Sequence, residues 1–215
     1  MKVPVGVSAR HVHLSQADLE ALFGSGAQLH PKKPLSQPGQ FASEETVDLQ
    51  GPKGTIQKVR ILGPTRPHTQ VEVSHTDARK LGLDVPVRES GDIDHTPGLT
   101  LVGPQGEVRL EDGLIVAMRH IHFSPEDARR FGVKDHQQVM VKTTGERGVI
   151  FDHVIARVSP SYKLDFHIDT DEANAAGLHT GKEVEMIEIE EVYAVPEDFH
   201  GNEKNRAFHP DFAQK

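Results

Sequence analysis

The sequence has no cysteine, no tryptophan, few aromatic residues and no long apolar run. Each absence excludes something. Without cysteine there is no disulfide, thiolate metal site, iron–sulfur cluster or cysteine acyl-enzyme. The longest apolar stretch, about Gly113–Met118, is far short of the ~20 residues that a membrane-crossing helix needs. Met1–Val7 lacks the charged-then-apolar pattern of a secretion signal. The expectation is a cytoplasmic protein with no membrane partner. A formal net charge of −8 argues against general nucleic-acid binding. It leaves room for a local cationic pocket that takes a small anion. The 215 residues allow one large domain or two small ones, and a chain of this size buries roughly 70% of its unfolded surface.

What the chain does have is histidine, 14 in all. Most read as scattered surface residues, but a subset lies in a repeat. Ser8-Ala-Arg-His11-Val-His13-Leu-Ser15 is echoed about half a chain later by Ala117-Met-Arg-His120-Ile-His122-Phe-Ser124. Both copies run into a helix-like stretch that ends in Phe-Gly. This is a twofold duplication, not a solenoid period.

A shorter pattern occurs four times, at His13-Leu-Ser15-Gln-Ala-Asp18, Glu72-Val-Ser74-His-Thr-Asp77, His122-Phe-Ser124-Pro-Glu-Asp127 and His167-Ile-Asp169-Thr-Asp-Glu172. Each has Ser or Asp at a helix N-cap and an acid three residues on, the spacing of a capping box. Only the last copy has Glu as that acid. Glycine follows each predicted helix, at Gly24, Gly82, Gly132 and Gly177. Each unit therefore reads as strand, cap, short helix, glycine, with a His or Glu at the strand end.

The remainder reads as short strands punctuated by Gly and Pro: Thr46–Gln50, Gln57–Leu62, Gln70–Val73, Leu99–Val102, Gly106–Leu110, Gly113–Met118, Gln138–Thr143, Val149–Val158 and Glu183–Val192. That spacing suggests barrels rather than a doubly wound sheet. Gly24–Gly39, rich in Pro, reads as an irregular excursion. Residues 193–215 read as a polar, peripheral tail.

In a strand, residues i and i+2 share a face, so both imidazoles of a His-x-His reach one metal. Two such pairs in a duplicated unit make a stronger signal than one. Glu72 and His167 hold the same place in the short pattern as His13 and His122. If the four units meet, five imidazoles and a carboxylate suit two zinc ions. The expected split is His11, His13 and Glu72 on one ion, and His120, His122 and His167 on the other. Three protein ligands leave an open position on each. Arg66, just upstream of Glu72, is the candidate to grip a multiply charged anion such as phosphate. Arg10 and Arg119 precede the pairs and point to the opposite face, where salt bridges are the simpler reading. A Walker loop, a dinucleotide fingerprint and a Gly-x-Ser-x-Gly elbow are all missing.

At Val5-Gly-Val-Ser-Ala-Arg-His-Val-His-Leu-Ser15, Gly63-Pro-Thr-Arg-Pro-His-Thr-Gln-Val-Glu-Val-Ser74, Met118-Arg-His-Ile-His122 and His167-Ile-Asp-Thr-Asp-Glu-Ala-Asn174 the sequence resembles the PduL-type phosphate propanoyltransferases, or phosphotransacylases. The likeness covers about Val3 to Ile189. It implies a mainly β fold of two barrels capped by short helices, with the active site between them. It also implies an interleaved chain: residues 1–9 with 118–192 in one barrel, and 10–117 in the other, with an irregular insertion at about 24–44. The family's zinc ligands fall on the six residues above, two ions per chain, and its phosphate-contacting arginine falls on Arg66.

The implied reaction converts acyl-CoA (propanoyl or acetyl) and phosphate reversibly to acyl phosphate and CoA. On this reading Arg66 and the three-His metal hold phosphate, while the other metal takes the CoA sulfur. The implied metabolic partner is an acyl kinase. The first motif starts almost at Met1, so no microcompartment-targeting extension is expected, and a homodimer is compatible with the reading. Without the resemblance, the residues equally admit a zinc hydrolase of a thioester or phosphoester, or a barrel that binds zinc for structure.

Overall fold

The computed structural model describes residues 1–187. The strands are β1 (Lys2–Ser8), β2 (His11–His13), β3 (Pro31–Pro34), β4 (Phe41–Gln50), β5 (Thr55–Gly63), β6 (Gln70–Glu72), β7 (Val87–Arg88), β8 (Thr100–Val102), β9 (Glu107–Arg109), β10 (Leu114–Ala117), β11 (His120–Phe123), β12 (Gln138–Lys142), β13 (Ile150–Val158), β14 (Asp165–Asp169) and β15 (Glu183–Ile187). Four short helices interrupt them: α1 (Gln16–Phe23), α2 (His75–Leu81), α3 (Pro125–Phe131) and α4 (Thr170–Ala176). Among the described residues, no helix is long and apolar enough to cross a membrane.

The fold is mainly β, as the strand spacing predicts. One sheet closes into a six-stranded barrel in the order β1-β14-β11-β13-β12-β15. The other is a nine-stranded, curled half-barrel in the order β7-β10-β6-β2-β5-β4-β8-β9, with β3 on the side of β4. The duplication is visible in these orders. Reading β10-β6-β2-β5-β4-β8 beside β1-β14-β11-β13-β12-β15 matches the two His-x-His strands, β2 and β11, and the strands that carry Glu72 and His167, β6 and β14.

Closure separates the two sheets. β15 pairs with β1 through Lys2↔Glu185 and Val3↔Val184. In the half-barrel the free edge of β10 is instead taken by β7, through Val116↔Val87.

The chain interleaves. β1 lies in the closed barrel, but β2, three residues on, lies in the half-barrel. β10 lies in the half-barrel, and β11 lies in the closed barrel. The chain thus crosses between sheets at Ala9–Arg10 and again at Met118–Arg119. Burial follows the same division. One hydrophobic cluster joins Val3 and Val5 to Phe123, Phe151 and Phe166. The other joins Leu14, Leu19 and Leu22 to Ile61 and Leu101.

The helices begin and end where the short pattern predicts. Ser15, Ser74 and Ser124 cap α1, α2 and α3 by accepting from the backbone N–H three residues on. Asp169 and Glu172 form the reciprocal capping box on α4. Gly82, Gly132 and Gly177 terminate α2, α3 and α4 in the left-handed region, which glycine enters without a Cβ penalty. Gly24 ends α1 with a more extended backbone.

The excursion after α1 is more ordered than its composition suggests. Pro31–Pro34 forms a short exposed strand against β4, through Pro31↔Ser43, Lys33↔Ala42 and Pro34↔Phe41. Proline lacks an N–H and is tolerated only at such edges, so its presence hid the strand. Gln37, buried, then ties this segment to the closed-barrel loop: its Nε2 donates to the Lys163 carbonyl at 2.9 Å and its Oε1 accepts from the Lys163 N–H at 3.1 Å. The expected strand Glu183–Val192 runs to Ile187 within the described residues. The expected tail, 193–215, lies outside them.

Two substitutions in α1 separate capping from packing. Ser15→Ala removes a cap and is expected to cost about 1 kcal/mol. Leu19→Ala empties a fully buried position and is expected to cost about 2–5 kcal/mol. Urea denaturation measures both, and equal losses would contradict this division of roles.

Candidate functional site

Both His-x-His pairs sit on strands that start immediately after a crossover. His11 and His13 are buried on β2, and His120 and His122 are buried on β11. The neighbouring strand supplies a third group in the same register. In the antiparallel β2–β6 ladder His11 lies opposite Glu72. In the antiparallel β11–β14 ladder His120 lies opposite His167. Directly opposed residues have Cβ atoms about 4.5–5.5 Å apart, and the alternate residue of each pair shares the same face. One donor atom from each of His11, His13 and Glu72 therefore falls within 4.8 Å of the others, and the same holds for His120, His122 and His167.

The hydrogen bonds around these groups leave donor atoms pointing inward. His11 Nδ1 lies 2.9 Å from the Ala9 carbonyl, and His120 Nδ1 lies 2.7 Å from the Met118 carbonyl. Each carbonyl can only accept, so each Nδ1 carries the proton and each Nε2 presents a lone pair. The Nε2 atoms of His120 and His122 are 3.1 Å apart. Glu72 Oε1 accepts from Gln70 Nε2 at 2.6 Å and from Ser90 Oγ at 2.8 Å. Its Oε2 faces His11 Nε2 at 3.4 Å. Among the described residues, buried His13 Nδ1 and His122 Nδ1 have no hydrogen-bond partner. Such orphaned nitrogens are uncommon in a folded interior.

The electrostatics favour unprotonated donors. Burial, with the neighbouring His11 and Arg66, holds His13 well below the ordinary histidine range. Burial and the facing His167 lower His120. His122 is pushed down to about 2, by burial and then by His120, His167 and Arg157. For Glu72, burial alone would favour the protonated form, but His11, His13 and the Ser90 hydroxyl outweigh it and hold the carboxyl well below its usual range. Three imidazoles in one group, and two imidazoles with a carboxylate in the other, form donor sets compatible with zinc.

A cavity at the crossover between the sheets is lined by members of both groups. Its lining includes Glu72 from the half-barrel, His120 and His167 from the closed barrel, and Ser8, Arg10 and Met118 beside the crossing segments. Arg66 is half-buried close by. Its backbone N–H donates to the Leu14 carbonyl at 2.9 Å, and its charged neighbours are Glu72 and Arg157. Arg10 and Arg119 are held in salt bridges, the simpler of the sequence readings. They pair with Asp77 on α2 and Glu172 on α4, each at 2.9 Å.

Sequence reasoning missed four groups. Gln70 and Asp165 sit two residues before Glu72 and His167, so strand alternation alone would have put them on the same face as those two. Arg157 is opposite His122 in the parallel β11–β13 ladder. Tyr162 packs against the His122 ring, with centroids 4.3 Å apart, and Arg157 lies over its face at 5.9 Å. No local motif marks either of these last two.

Known proteins with this pattern are numerous. The sequence profile of the phosphate propanoyltransferase family matches residues 4–179. The phosphate propanoyltransferase of Thermotoga maritima is 55% identical over 186 residues, covering 86% of this chain and 89% of that protein. That of Priestia megaterium is 57% identical over 179 residues, covering 83% and 82%. That of Enterococcus faecalis is 54% identical over 177 residues, covering 82% and 84%. On the extent of these matches, the chain belongs to the phosphate propanoyltransferase family.

Proposed function

We propose that this protein is a phosphotransacylase. It converts propanoyl-CoA or acetyl-CoA and phosphate reversibly to acyl phosphate and CoA, with one zinc ion on His11, His13 and Glu72 and another on His120, His122 and His167. The observation that carries the reading is the pair of equivalent ladders, which build two metal-competent groups whose Glu72, His120 and His167 line one cavity, with Arg66 a charged neighbour of Glu72. Zinc bound there would supply Lewis-acid stabilisation of developing negative charge on oxygen and on a leaving thiolate.

The chain's own residues set up the rest. Phosphate is a weak nucleophile that must be held and aimed at the thioester carbonyl. The Arg66 guanidinium offers planar, charge-assisted donors for phosphate oxygens. Arg157 adds positive potential on the side of His122. In the forward direction a phosphate oxygen forms a bond to the carbonyl carbon, and the carbon–sulfur bond breaks. CoA leaves as thiolate and takes up a proton. With no cysteine in the chain, direct transfer is the simplest route. An acyl kinase is the natural consumer of the acyl phosphate. A homodimer and a cytoplasmic location remain part of the same proposal.

The test is CoA release from acetyl-CoA or propanoyl-CoA with and without phosphate, on metal-quantified protein before and after chelation. Phosphate-dependent release is expected, reversible with acyl phosphate, lost on chelation and restored by zinc. Release that ignores phosphate would make the protein a hydrolase instead. Arg66→Ala removes charge-assisted hydrogen bonds worth about 1.5–3 kcal/mol. It is expected to raise the KM for phosphate about 10- to 100-fold with a smaller change in the KM for acyl-CoA. A phosphate response like that of the unaltered protein would remove Arg66 from the site.

A further inference from the structure

The residue across from the second histidine of each ladder is polar, and each touches the third ligand on its own strand. In the half-barrel His13 lies opposite Gln70, whose Nε2 donates to Glu72 at 2.6 Å. In the closed barrel His122 lies opposite Asp165, whose Oδ2 is 2.9 Å from His167 Nε2. The chemistry of each pair is matched. A carboxylate is oriented by a donor, and an imidazole by an acceptor.

We infer that Asp165 is a positioning residue for His167, and that Gly6 is the steric cradle that lets the two side chains lie together. The inference rests on the two-zinc reading above. Asp165 is buried, with 4% of its surface exposed. A carboxylate that far from water is costly unless it is paired, and its partner is the His167 ring. The carboxylate lies outside the set of mutually close donors formed by His120, His122 and His167, so it acts through the ring. Accepting at Nε2, it fixes the proton there and leaves the Nδ1 lone pair for the metal group. This is the opposite ring edge from His120, where Nδ1 is committed to the Met118 carbonyl.

Gly6 makes that orientation sterically available. It pairs with His167 in the parallel β1–β14 ladder. A Cβ at Gly6 would stand 2.7 Å from His167 Cδ2, 2.8 Å from Asp165 Oδ2 and 2.9 Å from His167 Nε2. Side-chain atoms do not approach so closely. The requirement for glycine is therefore close approach to the His–Asp pair, not an unusual backbone angle. At the equivalent position of the half-barrel, β10 presents Ile115 to Glu72. There the orienting group is an amide on a carboxylate, and a full side chain fits.

Zinc affinity tests this without relying on turnover. The chain is titrated with zinc against a competing chromogenic chelator, as the unaltered protein and as Asp165→Asn, Asp165→Ala and Gly6→Ala. Circular dichroism of the metal-free proteins serves as the folding control. The unaltered protein is expected to bind two zinc ions. Loss of an outer partner of a metal-bound histidine costs about 10- to 100-fold in affinity. Asp165→Ala and Gly6→Ala should each show that loss at one site only, and Asp165→Asn, whose amide oxygen still accepts, a smaller one.

A second readout uses the unaltered protein and survives any variant that fails to fold. In ¹⁵N-resolved spectra of the zinc-loaded chain, the His167 signal, assigned by its loss in His167→Gln, should show a proton on Nε2 and zinc on Nδ1. Zinc on Nε2, or two undiminished affinities in a folded Asp165→Ala, would overturn the positioning role while leaving the two-zinc reading intact. An unaltered protein that binds no zinc would overturn both.

Discussion

The site depends on one constraint, the pairing register of two short antiparallel ladders. Because side chains alternate along a strand, a His-x-His places two imidazoles on one face only while its strand holds register. Because His11 faces Glu72 and His120 faces His167, each third member of a candidate metal group arrives from the next strand at the correct height. A slip of one residue in either ladder would bring Val71 or Phe166, both core side chains, to the face of the His-x-His imidazoles and turn Glu72 or His167 away from it. The hydrophobic alternation Val12, Val71, Ile121, Phe166 thus guards the polar alternation of the site. Packing and chemistry are two faces of the same strands.

Duplication and strand exchange together explain why there are two such groups and why they meet. Each half supplies one His-x-His strand and one strand that carries Glu72 or His167. Had each half folded on itself, the two groups would belong to separate units. Instead the chain passes from one sheet to the other immediately before each His-x-His. Both ladders are therefore anchored at the crossover, where Glu72 and His120 sense each other's charge. Arg10 and Arg119 secure the same segments by pairing with acids on α2 and α4. The excursion after α1 adds a further link through Gln37 to the loop that carries Tyr162.

Much of this was legible in the residues because it rests on local rules. The four helix caps follow from Ser or Asp with an acid three residues on, and the helix ends from glycine. The mainly β class follows from short apolar stretches between breakers. The three-residue groupings follow from strand period and the fourfold pattern, although alternation alone says nothing about which strands become neighbours. What stayed hidden depends on non-local register or on one composition masking another. The edge strand Pro31–Pro34 was obscured by the residue least suited to a ladder. Arg157 reaches the site because β13 pairs with β11. Tyr162 reaches it from a loop. Gln70 and Asp165 were within reach of the alternation argument that put both imidazoles of each His-x-His on one face.

The most direct test of the account is a crystal structure of the zinc-loaded protein, with anomalous diffraction recorded on both sides of the zinc edge. Two separate peaks are predicted, one among His11, His13 and Glu72 and one among His120, His122 and His167. No zinc peak at these residues, or a single ion shared between the two groups, would contradict it.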